Sequence, residues 1–285
     1  MFILKSEYRI HEGPIYALGI ADGIVFTGSS DKTVKSLDLN SGNLLPFTVR
    51  SEGSPISLLS IHAELLAIGY LTGEFYLINP NTRNVLFEYH FTGDAVFSLC
   101  VLNSSTLAIG LGSGRLGILD FVAYEWLYLE QITSDKIRAM VYQNSTQCLY
   151  LASKSGEIVV FNTEEFTIQE GWHAHDGGVN CLLLASSNQL VSGGKDGHLT
   201  LWKAQERVKS IPAHRGVIYG ILEVGESLIS CSRDKSIKVW EIETLEPLQK
   251  ITFHQQSVNQ LVQQNVHSFV TASDDHRIAH WVYAE

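Results

Sequence analysis

Ser230, His214 and Asp234 are the residue types of a nucleophilic catalytic site, in which a histidine activates a serine and a carboxylate orients the histidine. The histidine lies 20 residues before the aspartate, and the serine lies four residues before it. An enzyme needs such a set once. The same residue types recur at the same spacing along this chain, which favours a structural role over catalysis.

The recurring sets share a histidine, a serine or threonine, an aspartate and, in most copies, a tryptophan. They are His175, Ser192, Asp196 and Trp202; His214, Ser230, Asp234 and Trp240; His254, Thr271, Asp275 and Trp281; and, without the tryptophan, His11, Thr27 and Asp31. We interpret each set as an internal network, in which the histidine bridges the aspartate and the hydroxyl while the indole N–H joins them. Such a network satisfies polar groups that folding buries.

Two further patterns have the residue types of ligand sites. Gly110 to Gly114 has the glycines of a phosphate-binding loop, but it leads into a strand and lacks the following lysine and serine, so a plain turn is favoured. The candidate metal groups are His173 with His175, and Asp274 with Asp275 and His276. Each contains a member of a recurring set and lacks a third ligand at a useful spacing. We therefore predict no metal and no cofactor.

The stretch from Leu228 to Glu241 consists of an apolar run, a polar turn and an alternating run, which is typical of a β-hairpin. Its layout recurs at 190–203, 269–282 and 26–39, and more weakly at 66–79, 107–120 and 149–162. The turn positions equivalent to Asp234 are Asp31, Thr72, Ser113, Ser155, Asp196 and Asp275, with spacings of 38 to 42 residues. Seven copies of one unit therefore cover the chain, and we predict a single domain over residues 1–285.

A period of about 40 residues made of short strands is typical of the four-stranded antiparallel blades of a β-propeller. Helical repeats of similar length do not fit, because Ile237 and Val239 alternate at period two and no 3.6-residue apolar pattern is sustained. The last copy ends soon after Trp281, before an outer strand of its own. We expect Phe2 to Ile10 to supply that strand and close the ring. The predicted fold class is all-β, a seven-bladed β-propeller.

These sets resemble the motif of the WD-repeat β-propeller family. That motif places the histidine before the first strand of a blade, the serine or threonine in the second strand, the aspartate in the following turn and the tryptophan in the third strand. Two features depart from it: no glycine precedes the four histidines, and no tryptophan is followed by aspartate. The units between residues 50 and 170 lack the full set, and we expect apolar packing alone to hold them.

Composition narrows the classes of function. The formal charge of −10 argues against non-specific binding to nucleic acid or to anionic membranes. Cys100, Cys148, Cys181 and Cys231 lie in apolar runs without zinc or disulfide spacing. The apolar start before Lys5 is too short for a signal peptide, and no run is long enough to cross a bilayer. We therefore predict a cytoplasmic location.

In the WD-repeat family, one face of the ring usually binds peptides. Two positions per unit are carried over to that face: a residue near the start of the first strand and the residue before the turn position. The first set is Tyr16, Ser57, Phe97, Arg138, Asn180, Tyr219 and Asn259, and the second is Ser30, Leu71, Gly112, Lys154, Lys195, Arg233 and Asp274. Lys136 lies beside Arg138 in the sequence. We expect three exposed aromatic side chains and a cluster of positive charge around the central opening, a composition typical of an interaction hot spot.

The resemblance implies a non-enzymatic scaffold that binds protein or peptide partners on this face. The cations favour an acidic or phosphorylated segment of a partner. The predicted contact residues are Tyr16, Phe97, Lys136, Arg138, Lys154, Asn180, Lys195, Tyr219, Arg233 and Asn259. The alternatives are an enzyme or small-ligand-binding propeller that uses loop residues at the channel mouth, and scattered solvated cations with no binding role.

Overall fold

The computed structural model describes residues 1–284, and within them the chain forms 28 β-strands in seven four-stranded antiparallel sheets. Glu285, the last residue of the predicted domain, lies outside the described residues. The first strand of the chain, β1 (Phe2–Tyr8), belongs to the last sheet. The other strands follow in chain order, one blade after another.

The first three blades contain the following strands. Blade 1 consists of β2 (Ile15–Ala21), β3 (Ile24–Ser29), β4 (Thr33–Asp38) and β5 (Leu44–Arg50). Blade 2 consists of β6 (Pro55–His62), β7 (Leu65–Tyr70), β8 (Glu74–Ile78) and β9 (Val85–His90). Blade 3 consists of β10 (Val96–Val101), β11 (Thr106–Leu111), β12 (Arg115–Asp120) and β13 (Glu125–Gln131).

The last four blades repeat this layout. Blade 4 consists of β14 (Ile137–Gln143), β15 (Cys148–Ser153), β16 (Glu157–Asn162) and β17 (Thr167–His173), and blade 5 of β18 (Val179–Leu184), β19 (Leu190–Gly194), β20 (His198–Lys203) and β21 (Glu206–Pro212). Blade 6 consists of β22 (Ile218–Val224), β23 (Ser227–Ser232), β24 (Ile237–Glu241) and β25 (Pro247–Ile251), and blade 7 of β26 (Val258–Asn265), β27 (Ser268–Ser273), β28 (Ile278–Tyr283) and β1.

The blades form a ring around a central channel. The first strands of neighbouring blades contact one another, from β2 and β6 round to β26 and β2. In blades 1 to 6 the strands then follow outward in chain order, and in blade 7 β1 follows β28 as the outer strand. The predicted all-β seven-bladed propeller is therefore confirmed.

The hydrophobic core consists of seven separate clusters, each lying between two neighbouring blades. Phe75 of blade 2 and Ile109 of blade 3, for example, belong to one cluster. The second strands are covered on both sides, which is why every residue of β7, β11 and β27 is buried. Since each blade packs only on its two neighbours, no blade buries its apolar faces alone.

β1 closes the ring by pairing with β28, from Phe2 opposite Tyr283 to Tyr8 opposite Ile278. The Phe2 ring is buried and lies edge-on to Phe269, with 5.1 Å between the ring centroids. The side-chain amide of Gln249 in blade 6 accepts from the Phe2 N–H at 2.8 Å and donates to the Phe2 carbonyl at 2.7 Å. The predicted closure by the N-terminal strand is confirmed.

An extra residue interrupts the pairing of the third and outer strands in blades 2 to 6. These bulged residues are Leu86, Leu127, Gln169, Val208 and Leu248. Bulges bend an outer strand and re-aim a side chain. The four leucine and valine side chains among them are all exposed to solvent.

No helix in residues 1–284 is long and apolar enough to span a membrane.

Deletion of residues 1–9 should lower the melting temperature sharply, because it exposes the edge of β28 and removes Phe2 from the core. Circular dichroism during heating measures the change. An unchanged melting temperature would show that β1 does not hold the ring closed.

Two single substitutions in β1 test the contribution of Phe2 packing while the strand itself is kept. Phe2→Ala should lower the free energy of unfolding by about 3–5 kcal/mol, since Phe2 is buried. Ile3→Ala, in the same strand but largely exposed, should change it by less than about 0.5 kcal/mol. Equal effects of the two in denaturant titrations would contradict the proposed contribution of Phe2.

Candidate functional site

The recurring polar residues form a hydrogen-bond network inside the blade, and blade 6 contains a complete example. The His214 ring lies 3.0 Å from Asp234 through Nδ1 and 2.7 Å from the Ser230 hydroxyl through Nε2. The Trp240 indole N–H donates to the same hydroxyl at 2.8 Å. Asp234 also accepts the backbone N–H of Arg215 at 3.0 Å. The network ties the loop that enters the first strand to the second strand, the third strand and the turn between them.

The protonation states of the network residues follow from their burial and from their hydrogen bonds. Burial lowers the pKa of His214, and the Asp234 hydrogen bond offsets this only in part. A neutral imidazole protonated at Nδ1 then donates to Asp234 and accepts the Ser230 hydroxyl at Nε2. Burial would raise the pKa of Asp275, but the hydrogen bonds from His254 and the Gln255 N–H outweigh it and hold that pKa at about 2. The carboxylate is therefore ionised.

Blades 5 and 7 contain the same four-residue network, and blade 1 contains it without the indole. The serine or threonine oxygen lies 2.6 Å from the histidine Nε2 in blade 5, 2.8 Å in blade 7 and 2.7 Å in blade 1. Ser230 is completely buried, and its hydroxyl is hydrogen-bonded to His214 and Trp240. A substrate therefore has no access to it, and the network supports the blade.

One face of the ring carries most of the predicted contact residues. This narrow face is formed by the loops that enter the first strands and by the turns between second and third strands. Lys154, Lys195 and Arg233 are exposed in those turns, whereas Lys136 and Arg138 are half-buried at the start of β14. We call these five residues the basic arc, which extends over blades 4 to 6.

The cations of the basic arc crowd one another. Lys136 Nζ lies 4.1 Å from the centroid of the Phe97 ring, a cation–π contact with blade 3. Burial lowers the pKa of Lys136, and the charges of Arg138 and Lys154 lower it further, while Asp135 opposes them. The Lys and Arg ion pairs within residues 1–284 are Lys32–Glu52, Arg115–Asp94 and Arg277–Glu7. No member of the basic arc takes part in them.

A cavity of about 220 Å³ lies in the channel beside the basic arc. Its lining includes Phe97, Arg138, Asn180 and Tyr219 from four consecutive blades. Arg138 Nε and Asn180 Nδ2 are buried there without a hydrogen-bond partner among residues 1–284. Buried donors of this kind are normally satisfied, so the cavity wall presents two donors with unused capacity.

Among residues 1–284, no three His, Cys, Asp or Glu side chains converge in a way that could hold a metal ion. Gly110–Gly114 spans the end of β11 and the turn into β12. Gly114 has φ of +92°, and a Cβ there would lie 2.2 Å from the Thr133 carbonyl oxygen. The turn geometry requires this glycine without any ligand.

A family model described as WD domain, G-beta repeat matches residues 166–203 and 205–241, which include the complete networks of blades 5 and 6. Together with seven four-stranded blades and the repeated network, this match decides the family. The chain is a WD-repeat β-propeller. The predicted family is thereby confirmed.

Curated relatives agree with this assignment. The chain is 22% identical over 249 residues to the WD repeat-containing protein 55 homolog of Dictyostelium discoideum, covering 84% of this chain and 60% of that protein. It is 23% identical over 229 residues to human WD repeat-containing protein 55, covering 78% and 60%. A p21-activated protein kinase-interacting protein 1-like protein of Danio rerio is 29% identical over 103 residues, covering 35% and 28%. The chain thus spans at most about 60% of the length of these relatives.

In this WD-repeat propeller, the expectation that apolar packing alone holds the units between residues 50 and 170 is wrong for blades 3 and 4. In blade 3, Asp94 on the entering loop accepts the Ser113 N–H at 2.7 Å, the Ser113 hydroxyl at 2.5 Å and Arg115 at 3.3 Å. In blade 4, Asp135 accepts the Ser155 N–H at 3.3 Å. In the motif the carboxylate lies in the turn, whereas in blades 3 and 4 it lies on the entering loop and a serine occupies the turn position. The aspartate and the serine are 19 residues apart in blade 3 and 20 in blade 4. This spacing is close to the histidine-to-aspartate spacing of the recurring sets, so the sequence carried a signal for these bonds.

In blades 3 and 4 the tryptophan lies on the outer strand, whereas in blades 5 to 7 it lies on the third strand. Trp126 lies on the outer strand β13, with its ring centroid 5.4 Å from that of Phe91, and Trp172 lies on the outer strand β17, 5.7 Å from Trp202. Both indole N–H groups are buried without a protein partner. An indole on the outer strand therefore fills space in its blade but does not take part in a hydrogen-bond network like that of His214, Ser230 and Asp234.

Three details of the predicted face are corrected by the structure. The blade 2 residue equivalent to Phe97 and Arg138 is Ile56, because Ser57 is buried and its hydroxyl donates to the Val96 carbonyl at 2.8 Å. Of the three aromatic residues, only Tyr16 is exposed, and Phe97 and Tyr219 are half-buried in the channel wall.

The third correction concerns Asn259 of blade 7. Its amide donates to the Ile15 carbonyl of blade 1 at 2.9 Å and to Asp274 at 2.7 Å. These bonds give Asn259 a structural role at the junction of the last and first blades.

Asp234→Ala should lower the free energy of unfolding by about 1–3 kcal/mol, because it leaves the buried His214 and the N–H groups of Arg215 and Ser236 without their acceptor. Trp240→Ala should cost about 3–5 kcal/mol through lost packing. Denaturant titration measures both. The control is Asp176→Ala, whose carboxylate is exposed; if Asp234→Ala were equally mild, the network would not stabilise the blade.

The free energy of unfolding should fall as the pH drops from about 6.5 to about 2. Burial lowers the pKa of His214 and His280 below 6.5, so the unfolded chain takes up these protons first. Asp31 and Asp275 have a pKa of about 2 in the folded state against an ordinary 3.8, so their stabilisation is lost as the pH falls through that window.

Asp275→Asn should lose stability less steeply than the parent between about pH 4 and 2, because Asp275 contributes to that slope. Asp22→Asn, at an exposed turn residue, should follow the parent curve. Identical slopes in all three proteins would contradict the assignment of the acid dependence to the blade carboxylates.

Proposed function

We propose that this WD-repeat propeller is a protein-interaction scaffold whose narrow face binds an acidic or phosphorylated segment of a partner protein. The observation that carries the proposal is the basic arc, a group of cations that have no ion-pair partner within residues 1–284, on a protein whose formal charge is −10. Carboxylate and phosphate groups are the anions that arginine and lysine recognise.

The cavity beside the basic arc supports this proposal. An anion in it could accept from Arg138 Nε and Asn180 Nδ2, which have no protein acceptor. The rings of Phe97 and Tyr219 supply apolar surface in the same wall. Aromatic and arginine side chains around a partly desolvated pocket are typical of interaction hot spots.

The opposite side of the narrow face is less suited to an anion. The Asn259 amide donates to the Asp274 carboxylate and to the Ile15 carbonyl of blade 1. Lys32 lies 3.9 Å from Glu52, which offsets its charge. A bound acidic segment should therefore lie over blades 4 to 6.

The name of one relative, the p21-activated protein kinase-interacting protein 1-like protein of Danio rerio, is consistent with a scaffold. We retain a cytoplasmic location as a prediction that fluorescence microscopy of the tagged chain would check.

Reversing two charges of the basic arc, with Arg138→Glu and Arg233→Glu together, should abolish binding to the partner while leaving the fold intact. The measurement is affinity purification of the tagged chain from its native cells, with identification and quantification of co-purifying proteins. Treatment with phosphatase before purification separates phosphorylated from acidic segments.

The matched control is Lys32→Glu, which reverses an exposed charge on the same face outside the basic arc. It should retain the partner. Retention by the double variant, or equal loss by the control, would contradict the proposal. Melting curves of all variants exclude unfolding as the cause of a loss.

A further inference from the structure

We propose a second docking surface on the face opposite the narrow face, for a partner segment that carries a bulky apolar side chain flanked by lysine or arginine. The surface lies beside the ring closure, between blades 6 and 7. It is built from the hairpin turns between first and second strands, the end of β28 and the start of β1. It is separate from the basic arc and from the channel.

The surface contains an apolar notch of about 480 Å³. Phe2 and Val224 form its buried part, and Leu248, Val266 and Tyr283 form its exposed rim. The exposed fractions of these rim side chains are 59%, 59% and 50%. Three large apolar side chains at least half exposed around one concavity are a feature of protein interaction sites rather than of an ordinary surface.

The notch is held open by rigid elements. The Phe2 and Tyr283 rings pack edge to face with 5.4 Å between their centroids, and the Gln249 amide fixes the Phe2 backbone. Leu248 is the bulged residue of β25, which turns its side chain away from the sheet. Because the walls are strand ends and two-residue hairpin turns, a partner would order little of this chain on binding.

The charge of the notch selects the partner. Glu226 and Glu241 lie in its lining, and the adjoining turn adds the exposed Glu243 and Glu246. Among the described residues that line the notch, His267 is the one group that can become positive. Apolar surface beside these carboxylates matches an apolar side chain with basic neighbours. The same carboxylates disfavour an anionic lipid surface.

The probes are two short fluorescein-labelled peptides, each with a central Phe-Ser-Leu flanked on both sides by two lysines or by two glutamates. Fluorescence polarisation with the full chain measures the affinity. The lysine peptide should bind at least about tenfold more tightly than the glutamate peptide. Equal affinities, or preference for the glutamate peptide, would overturn the proposal.

Substitutions locate the site. Leu248→Asp should weaken the lysine peptide by about tenfold or more, whereas Val208→Asp, the equivalent exposed bulge residue of blade 5, should have no effect. Glu226→Lys should shift preference toward the glutamate peptide. Lack of effect of Leu248→Asp or Glu226→Lys would overturn the assignment.

Two further measurements distinguish binding at the notch from binding on the narrow face and from self-association. A double variant with Arg138→Gln and Arg233→Gln, which removes two positive charges without adding negative ones, should bind the lysine peptide unchanged; a change in its affinity would place the peptide on the narrow face and overturn the second surface. Light scattering should show the same mass for the parent and for Leu248→Asp. A parent dimer that Leu248→Asp dissociates would identify the occupant as a second copy and overturn the proposed partner.

Discussion

Pairing of β1 with β28 is the interaction on which the ring depends. Each apolar cluster lies between two blades, so a ring of seven blades has seven such interfaces, and an open array would leave two of its faces in water. Closure therefore protects the core as well as the strand edge. It also brings the N-terminal residues beside blade 6, which creates the apolar notch around Phe2.

The blades achieve the same geometry with different side chains. Four blades bury a histidine between a hydroxyl and a carboxylate. Blade 3 instead places the carboxylate of Asp94 on the entering loop. Both arrangements satisfy turn N–H groups and fasten the loop to the turn, which is the physical requirement. Because the loops and turns are fastened in this way, the narrow face is a rigid platform for the basic arc, and recognition there costs little ordering.

The two proposed surfaces differ in charge as well as position. The basic arc presents cations without ion-pair partners, and the notch presents carboxylates around apolar side chains. Partners of opposite charge could thus occupy the two faces at once without competing. Like-charge repulsion disfavours binding of each partner to the other face, and this increases the specificity of a scaffold.

The sequence by itself determined the number of blades, their strands, the closure by Phe2 and the networks around His214 and its equivalents, because these depend on spacing along one chain. It did not identify Ile56 in place of Ser57, since a slip of one residue in a strand moves the side chain to the other side. Only the tertiary structure decided the half-burial of Arg138 and Phe97 in the channel wall and the bonds of Asn259, because these depend on neighbouring blades. The notch was likewise invisible in the sequence, because Phe2 and Leu248 are brought together only when the ring closes.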